Sequence, residues 1–484
     1  MTQHFDLLVR GGTVFDGTGA PGRLADVGVL GDRIAAIGDL AGATADTVVE
    51  AAGRAVAPGF IDVHTHDDRA LLSNPDMAMK TSQGVTTVVV GNCGVSLSPL
   101  AIDRRPPPPL DLLGAEEWYR YPRMADYMAA VDAAPAAVNA ACLVGHATLR
   151  VGAMDDLLRP ATPAEINNMK ERLAEGLAAG AIGMSTGLFY RPANAAPTEE
   201  IIALAELLEP AGAIYTTHMR DEGEGVMDSL HESFRIGREA GVRAIISHHK
   251  VIGTPNFGRS EETLALIEHT RTRQDIGLDC YPYVAASTVL DSSRLERCSR
   301  VMVTWSVKHP EVSGRDLSDI AAEWGISQLE AVDRLNPAGA IYFMMDEADV
   351  RRILSYPHTI VASDGLPHDS HPHPRLWGTF PRVLGHYSRD VGLFPLEEAV
   401  RRMTGLPAER FGLTGRGRLA VGAHADITVF DPATVIDSAS FEKPATPAAG
   451  IDRVIVNGRA VWADGAPTGA HPGRLLRRQD LQAA

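Results

Sequence analysis

Short apolar runs recur through the middle of the chain, and a segment of helical periodicity follows almost every one of them. Runs rich in valine, isoleucine and alanine are typical of parallel strands that are buried on both faces. The eight candidate strands are residues 60–66, 86–91, 141–145, 181–186, 213–218, 244–248, 277–281 and 359–363. Strand–helix repeats in this series predict an α/β fold, a (β/α)8 TIM-type barrel with its active site at the carboxyl ends of the strands.

The two ends of the chain show a different pattern, in which short alternating apolar and polar runs are separated by glycine turns. This pattern is typical of hairpins and small antiparallel sheets. It occurs in residues 1–56 and again in residues 413–484. We therefore expect both termini to build one small β-sandwich beside a barrel that spans residues 57–412.

Two connections in the predicted barrel are longer than one helix requires. Residues 91–141 contain consecutive prolines at 106–109, which predict a loop. A second insertion runs from about residue 284 to 347, after the seventh strand. Because an insertion at a carboxyl strand end overhangs the active site, we expect this segment to act as a lid.

Composition narrows the possible partners of the protein. The 484 residues carry a net charge of −16, which argues against nucleic acid or an anionic membrane as a partner. The four cysteines have no CxxC spacing and do not suggest a disulfide framework. Neither a signal peptide nor an apolar stretch long enough for a membrane span is visible, so we expect a cytoplasmic protein acting on a small molecule. The sequence leaves the oligomeric state open.

Metal-binding side chains stand at the predicted carboxyl ends of five strands. His64 and His66 are two residues apart, and side chains at that spacing lie on one face of a strand. The other candidates are Cys93 after the second strand, His218 at the fifth, His248 or His249 at the sixth, and Asp364 after the eighth. A single histidine is more often structural, but candidates at several strand ends of one barrel converge, which predicts a metal site.

Residues 57–66, Ala-Pro-Gly-Phe-Ile-Asp-Val-His-Thr-His, resemble the first-strand signature of the amidohydrolase superfamily. His218, His248 and Asp364 stand where that superfamily has its residues on strands 5, 6 and 8. Many members bridge two metal ions with a carbamylated lysine on strand 4. Here the only lysine between Cys93 and His218 is Lys170, whose segment begins with the helix-start signals of a threonine, a proline and an early glutamate.

Cys93, within Asn-Cys-Gly, resembles the cysteine ligand of the N-acyl-D-amino-acid deacylase (D-aminoacylase) family. The resemblance implies a Zn2+ ion held tightly by Cys93, His218 and His248, and thiolate with imidazole suits zinc. His64 and His66 would serve a second, weaker metal position, with Asp364 beside the metal as general base. The resemblance further implies that the substrate is bound by Lys250, Tyr281, Ser287 and Arg375.

The expected reaction is zinc-dependent hydrolysis of an N-acyl-D-amino acid to a carboxylate and a free D-amino acid. A cyclic amidase of the hydantoinase or dihydroorotase type and a D-peptide hydrolase remain alternatives, as does a non-catalytic assembly protein. Chirality rests on the resemblance alone. An acidic substrate side chain would need an additional cation, and Arg294, Arg297 and Arg300 in the insertion are candidates that could equally be solvated.

Overall fold

The computed structural model describes residues 3–482. Its strands are β1 (His4–Val14), β2 (Arg23–Leu30), β3 (Arg33–Gly38), β4 (Thr44–Glu50), β5 (Ala55–Pro58), β6 (Phe60–Asp62), β7 (Val85–Val90), β8 (Leu100–Ala101), β9 (Arg120–Tyr121), β10 (Asn139–Gly145), β11 (Gly183–Gly187), β12 (Ile214–His218), β13 (Ala244–Ile246), β14 (Ile276–Cys280), β15 (Ala285–Val289), β16 (Arg300–Ser306), β17 (Ala338–Phe343), β18 (Thr359–Val361), β19 (Ile427–Phe430), β20 (Ile451–Val456), β21 (Arg459–Ala463) and β22 (Ala466–Pro467).

The α-helices are α1 (Ala70–Ser73), α2 (Ala78–Thr81), α3 (Met124–Ala133), α4 (His146–Ala153), α5 (Pro163–Ala179), α6 (Arg191–Asn194), α7 (Thr198–Ala205), α8 (Val226–Glu239), α9 (Ser260–Arg271), α10 (Leu317–Trp324), α11 (Gln328–Leu335), α12 (Glu347–Ser355), α13 (Arg375–Arg382), α14 (Leu396–Met403), α15 (Gly405–Phe411) and α16 (Arg478–Gln482). A π-helical segment, Val383–Asp390, continues α13, and short 3-10 helices include Ser292–Arg297.

Within residues 3–482 the predicted barrel is present as an eight-stranded parallel sheet in the order β6-β7-β10-β11-β12-β13-β14-β18. Every residue of these strands is buried, including the threonines and serines among their apolar residues, as expected for a parallel sheet that is covered on both faces. The first and last strands meet through a parallel bridge between Thr65 and Gly365, where the Asp364 amide donates to the His64 carbonyl at 2.9 Å. The fold class is confirmed.

Strands from both termini form the second sheet, as predicted. Along β1, residues before Gly11 pair with β4 and residues after it pair with β5, so the strand changes partner at its glycine pair. Strand β5 then pairs with β19 near the other end of the chain. Apolar side chains from β1, β2, β5, β19 and β20, among them Leu7, Val27, Val56, Ile427 and Ile455, pack into one shared cluster, which forms the interior of the sandwich. The domain boundaries at 56/57 and 412/413 stay predictions.

The insertion after β14 has its own sheet and its own core. Strands β15, β17 and β16 pair antiparallel in that order, and α10 and α11 connect β16 to β17. Its apolar side chains form a cluster separate from the main barrel core, and that cluster includes Tyr281 and Tyr283, which follow β14. The insertion is therefore anchored at the carboxyl end of the seventh barrel strand.

Two local expectations were wrong. The first barrel strand ends at Asp62, so His64 and His66 lie in the segment after the strand, where both side chains are buried. Residues 91–141 are more than a loop, since they contain the β8–β9 ribbon, two 3-10 helices and α3. Buried aromatic and apolar side chains of this segment, among them Tyr119 and Tyr127, stabilise it against the barrel.

Among the helices of residues 3–482, none has both the length and the apolar character that crossing a membrane requires. The cytoplasmic location stays a prediction.

Candidate metal centre

The predicted metal-binding side chains converge in two groups that share the Cys93 thiol. One group contains His64, His66, Cys93 and Asp364, and the other contains Cys93, His218 and His248. Within each group the potential ligand atoms lie within 4.8 Å of one another, and all of these residues are buried. His249, the alternative on the sixth strand, is directed away from the cluster and lies 2.9 Å from Thr263 Oγ1.

Cys93 Sγ lies between histidines of both groups. Its distance to His64 Nε2 is 3.1 Å, and its distance to His248 Nε2 is 3.5 Å. On the far side, His218 Nδ1 lies 2.8 Å from His248 Nε2. Electron-donating atoms thus face one another across a small buried volume, which is the arrangement that a cation stabilises.

Asp364 supplies the carboxylate of the first group. Its Oδ1 atom lies 3.4 Å from His64 Nε2 and 3.3 Å from His66 Nε2. Its Oδ2 atom is in ion-pair contact with Arg375 Nη1 at 2.9 Å. One carboxylate oxygen therefore faces the histidines, and the other faces a buried arginine.

Three of these residues have left-handed backbone conformations, with φ of 53° at Cys93, 36° at His248 and 50° at Asp364. Each such conformation costs a residue other than glycine about 1–3 kcal/mol and persists only where the surroundings enforce it. All three residues follow barrel strands, where the chain must turn sharply to direct a side chain inward. The strain is thus concentrated at the side chains that meet in the cluster.

Neighbouring charges strongly shift the pKa values of the side chains in the cluster. Burial raises the pKa of the Cys93 thiol, but charge from His64 and His248 and hydrogen bonds with His218 and His248 outweigh it, so the pKa lies well below its usual value. Burial also opposes protonation of His64, yet Cys93, Asp279 and Asp364 raise its pKa well above the usual value. A thiolate surrounded by imidazoles, with a carboxylate adjacent, is a donor set that fits zinc.

The side chains expected to bind substrate lie around the same cluster. The Arg375 guanidinium lies 4.5 Å from the centre of the Tyr281 ring, and its Nη2 donates to the Ser287 carbonyl at 3.1 Å. Tyr281 Oη and Ser287 Oγ are buried and have no hydrogen-bond partner among the described residues. The Lys250 ammonium lies 5.6 Å from the Tyr281 ring, but it also donates to Glu222 Oε1 at 2.7 Å.

Lys170 lies in α5, which starts with the predicted Thr162–Glu165 capping box and with Pro163 as its first residue. Strand β11, the fourth barrel strand, is Gly-Met-Ser-Thr-Gly and contains no lysine. Lys170 therefore lies in a helix, as its start signals predict, and the fourth barrel strand has no lysine that could bridge two metal ions.

A sequence profile of the amidohydrolase family matches residues 47–228 and 235–462. The chain belongs to the amidohydrolase family. It is 61% identical over 477 residues to D-aminoacylase from Alcaligenes xylosoxydans xylosoxydans, a match that covers 99% of this chain and 98% of the relative.

Two solved structures are similar over almost their whole length. A D-aminoacylase structure described as having a binuclear metal centre, with one-metal activation and second-metal attenuation, has a TM-score of 0.96 and 60% identity, covering 98% of this chain and 100% of that one. N-acyl-D-glutamate deacylase from Bordetella bronchiseptica, complexed with zinc and a phosphonate mimic of the tetrahedral intermediate, has a TM-score of 0.95 and 47% identity with the same coverage.

Sequence reasoning missed two carboxylates that hold this amidohydrolase's histidines in place. Asp279 Oδ1 accepts from the His248 amide at 2.8 Å and lies 3.3 Å from His64 Nδ1, so it contacts both metal-binding groups. Glu222 Oε1 lies 3.1 Å from His248 Nδ1 and binds Lys250. Asp279 lies at the carboxyl end of β14, and Glu222 lies four residues after His218. In the sequence, only these positions indicated that the two carboxylates could lie near the histidines.

A buried ion pair fastens together the two barrel ends that carry His64, His66 and Asp364. Lys80 Nζ donates to Asp62 Oδ2 at 2.8 Å and to Ser363 Oγ at 2.9 Å, and it lies 3.3 Å from Asp67 Oδ2. Asp62 Oδ1 in turn accepts from the Ser363 amide at 2.9 Å. Asp62 is the last residue of the first barrel strand, and Ser363 follows the last barrel strand. Lys80 therefore connects the two strands between which the amidohydrolase barrel closes.

Replacing Lys80 by methionine leaves the Asp62 and Asp67 carboxylates buried without their cation. We expect the free energy of unfolding to fall by about 3–5 kcal/mol, which is the usual cost of removing one partner from a buried pair. The control is Lys170→Met, because Lys170 is partly exposed and lies 3.8 Å from Glu206; there we expect a loss below about 1 kcal/mol. Urea unfolding measures both variants, and equally small losses would contradict the structural role of Lys80.

Proposed function

We propose that this protein hydrolyses the amide bond of N-acyl-D-amino acids and releases a carboxylate and a free D-amino acid. The observation that carries the proposal is the Cys93 thiol shared by two histidine groups beside the Asp364–Arg375 ion pair. The relatives described above support the substrate class, and they alone support the D configuration.

Cys93, His218 and His248 would hold one zinc ion tightly. Three protein ligands would leave the fourth coordination position of that ion open for catalysis. His64, His66 and Asp364, on the other side of Cys93, would form a second and weaker position. Zinc held by Cys93, His218 and His248 would lower the pKa of a water molecule toward neutrality and polarise the acyl carbonyl.

Asp364 is the proposed general base and acid. Burial alone would raise its pKa, but Arg375, His64 and His248 hold the pKa well below the usual range, so the carboxylate is ionised. It can therefore accept the proton of the attacking water and transfer it to the nitrogen of the leaving amine. His66, whose Nε2 faces Asp364 Oδ1 at 3.3 Å, keeps that oxygen directed toward the cluster.

Arg375, Ser287, Tyr281 and Lys250 would bind the α-carboxylate of the substrate. Arg375 offers a planar fork of donors, which suits a carboxylate. Tyr281 Oη and Ser287 Oγ are buried donors that a substrate oxygen would satisfy. The Lys250 ammonium, positioned by Glu222, adds a point charge to the same pocket.

Two alternatives fit less well. The usual bridging lysine of metal-dependent cyclic amidases is missing from β11, which disfavours a hydantoinase or dihydroorotase activity. A non-catalytic assembly protein needs no metal centre, whereas six potential ligands converge here and three of them have left-handed backbone conformations. A D-peptide hydrolase would use the same centre and is distinguished by its substrates.

Replacing Asp364 by asparagine removes the proposed proton acceptor. We expect kcat to fall by about 10²–10⁴-fold in the zinc-loaded enzyme, the usual contribution of general acid–base catalysis. Asp369→Asn is the matched control, because burial raises the pKa of Asp369 to about 7 and asparagine resembles its neutral form. Near wild-type turnover in Asp364→Asn, with zinc bound, would show that the assignment of Asp364 is wrong.

Cys93→Ala should remove the shared ligand and lower the zinc content measured by elemental analysis. Cys142→Ala is the control, since Cys142 is buried and belongs to neither ligand group. Equal zinc content and equal rates in both variants would exclude Cys93 as a ligand.

A substrate panel tests the proposed reaction directly. We expect N-acetyl-D-amino acids to be hydrolysed. Hydantoins should be poor substrates, because the pocket supplies donors for a free α-carboxylate next to a linear amide and a hydantoin has neither. The relatives alone lead us to expect that N-acetyl-L-amino acids and dipeptides are poor substrates as well. Release of free amino acid is the measurement. Faster opening of a hydantoin or faster cleavage of a D-dipeptide would favour the corresponding alternative.

A further inference from the structure

Cys93 lies in a tight turn just after the second barrel strand, β7. The Val95 amide donates to the Asn92 carbonyl at 2.9 Å, which closes a four-residue turn. The two central residues of the turn, Cys93 and Gly94, have φ of 53° and 75°. Type I′ turns have positive φ at both of these positions, where glycine, asparagine and aspartate are preferred. A cysteine at the first position therefore depends on contacts from outside the turn.

A serine of the fourth barrel strand makes such contacts on both sides of Cys93. Ser185 belongs to β11 and its side chain is fully buried. Its hydroxyl accepts a hydrogen bond from the Gly94 amide at 2.9 Å and donates one to the Gly91 carbonyl. Both glycines are buried, and buried backbone groups need partners of this kind. One hydroxyl thus fixes the backbone on either side of the cysteine.

Side chains that follow the first and second barrel strands hold the wider segment. The Asp68 carboxylate accepts from the Gly91 amide at 3.2 Å and from the Leu97 amide at 3.3 Å. Asn92 Nδ2 donates to the carbonyl that ends three residues earlier, at Val89, with a distance of 2.9 Å. Among residues 3–482, however, Ser185 is the one side chain that forms a hydrogen bond with Gly94. It therefore acts nearest to the left-handed cysteine.

The turn also packs closely against the ends of two barrel strands. The last residues of β10 and β11 are Gly145 and Gly187. A Cβ atom at Gly145 would collide with the Gly94 carbonyl, and one at Gly187 would collide with the Cys93 carbonyl. The turn therefore lies directly on the strand that carries Ser185, with no side chain between them.

We propose that Ser185 is a positioning residue for the metal centre, and that its hydroxyl holds the turn in the conformation that places the Cys93 sulfur between the two histidine groups. A zinc ligand must lie within about 0.2 Å of its ideal distance, so a small relaxation of the turn would weaken metal binding. The fourth strand, which has no lysine, would thus support the centre through a backbone turn. The inference rests on the proposed function of Cys93 as a zinc ligand.

The experiment titrates the metal-free protein with Zn2+ and, separately, with Co2+, whose bond to a thiolate gives a charge-transfer absorption band. Ser185→Ala removes the hydroxyl. We expect zinc to bind about 10–100-fold more weakly, the usual effect of removing a group that orients a metal ligand, and the cobalt band to lose intensity. Ser185→Thr keeps a hydroxyl on a side chain that strands accommodate well, and it should restore the band and most of the zinc affinity.

Ser247→Ala is the matched control. Ser247 is also fully buried and directly precedes His248, but its hydroxyl has no hydrogen-bond partner among residues 3–482. Its zinc affinity and cobalt band should equal those of the wild type. A Ser185→Ala variant that unfolds at lower urea concentration but keeps both properties would show a purely structural role and overturn the inference. Equal losses in Ser185→Ala and Ser185→Thr would assign the effect to packing and overturn it as well.

Cys93→Ala separates this inference from the proposed function, because it should abolish the cobalt band. If the wild type lacks the band, or if Cys93→Ala retains it, the proposed ligand role of Cys93 is wrong and the inference is wrong with it. If the band depends on Cys93 but not on Ser185, only the inference is wrong.

Discussion

The Cys93 thiolate is the interaction on which the arrangement of this site depends. It is one buried anion shared by histidines from the first, fifth and sixth barrel strands, and these strands lie far apart in the sequence. To place the sulfur there, the chain adopts a left-handed conformation at Cys93, and similar conformations occur at His248 and Asp364. Electrostatic attraction between the thiolate and the imidazoles offsets local strain that would otherwise favour other turns.

Buried charged side chains around the cluster hold the histidines in position. Asp279 contacts His64 and the His248 backbone, and Glu222 links His248 to Lys250. On the opposite side, Lys80 joins the first and last strands behind His64 and Asp364. Because each of these groups is buried, each is stabilised only as part of a paired set. The strands that carry His64 and Asp364 are thus also the strands that Lys80 joins where the barrel closes.

The insertion after the seventh strand places side chains beside this centre. It begins directly after the seventh strand, and its first strand brings Ser287 and Thr288 to Arg375 and Tyr190. Its 3-10 helix then carries Arg294 onto Phe189. Barrel strand ends thus carry the potential metal ligands, whereas the insertion, which has its own core, contributes side chains beside them.

The sequence by itself determined the barrel, the split terminal sheet, the ligand types and the missing lysine of strand 4, because strand periodicity, helix capping and short motifs are local signals. It did not determine that His64 and His66 lie beyond their strand, that His248 rather than His249 enters the cluster, or that Asp279, Glu222 and Lys80 support it. Nor did it show that Arg294 is buried whereas Arg297 and Arg300 are exposed. These properties depend on which side chains are buried together across distant strands, and only the tertiary structure decides burial and pairing.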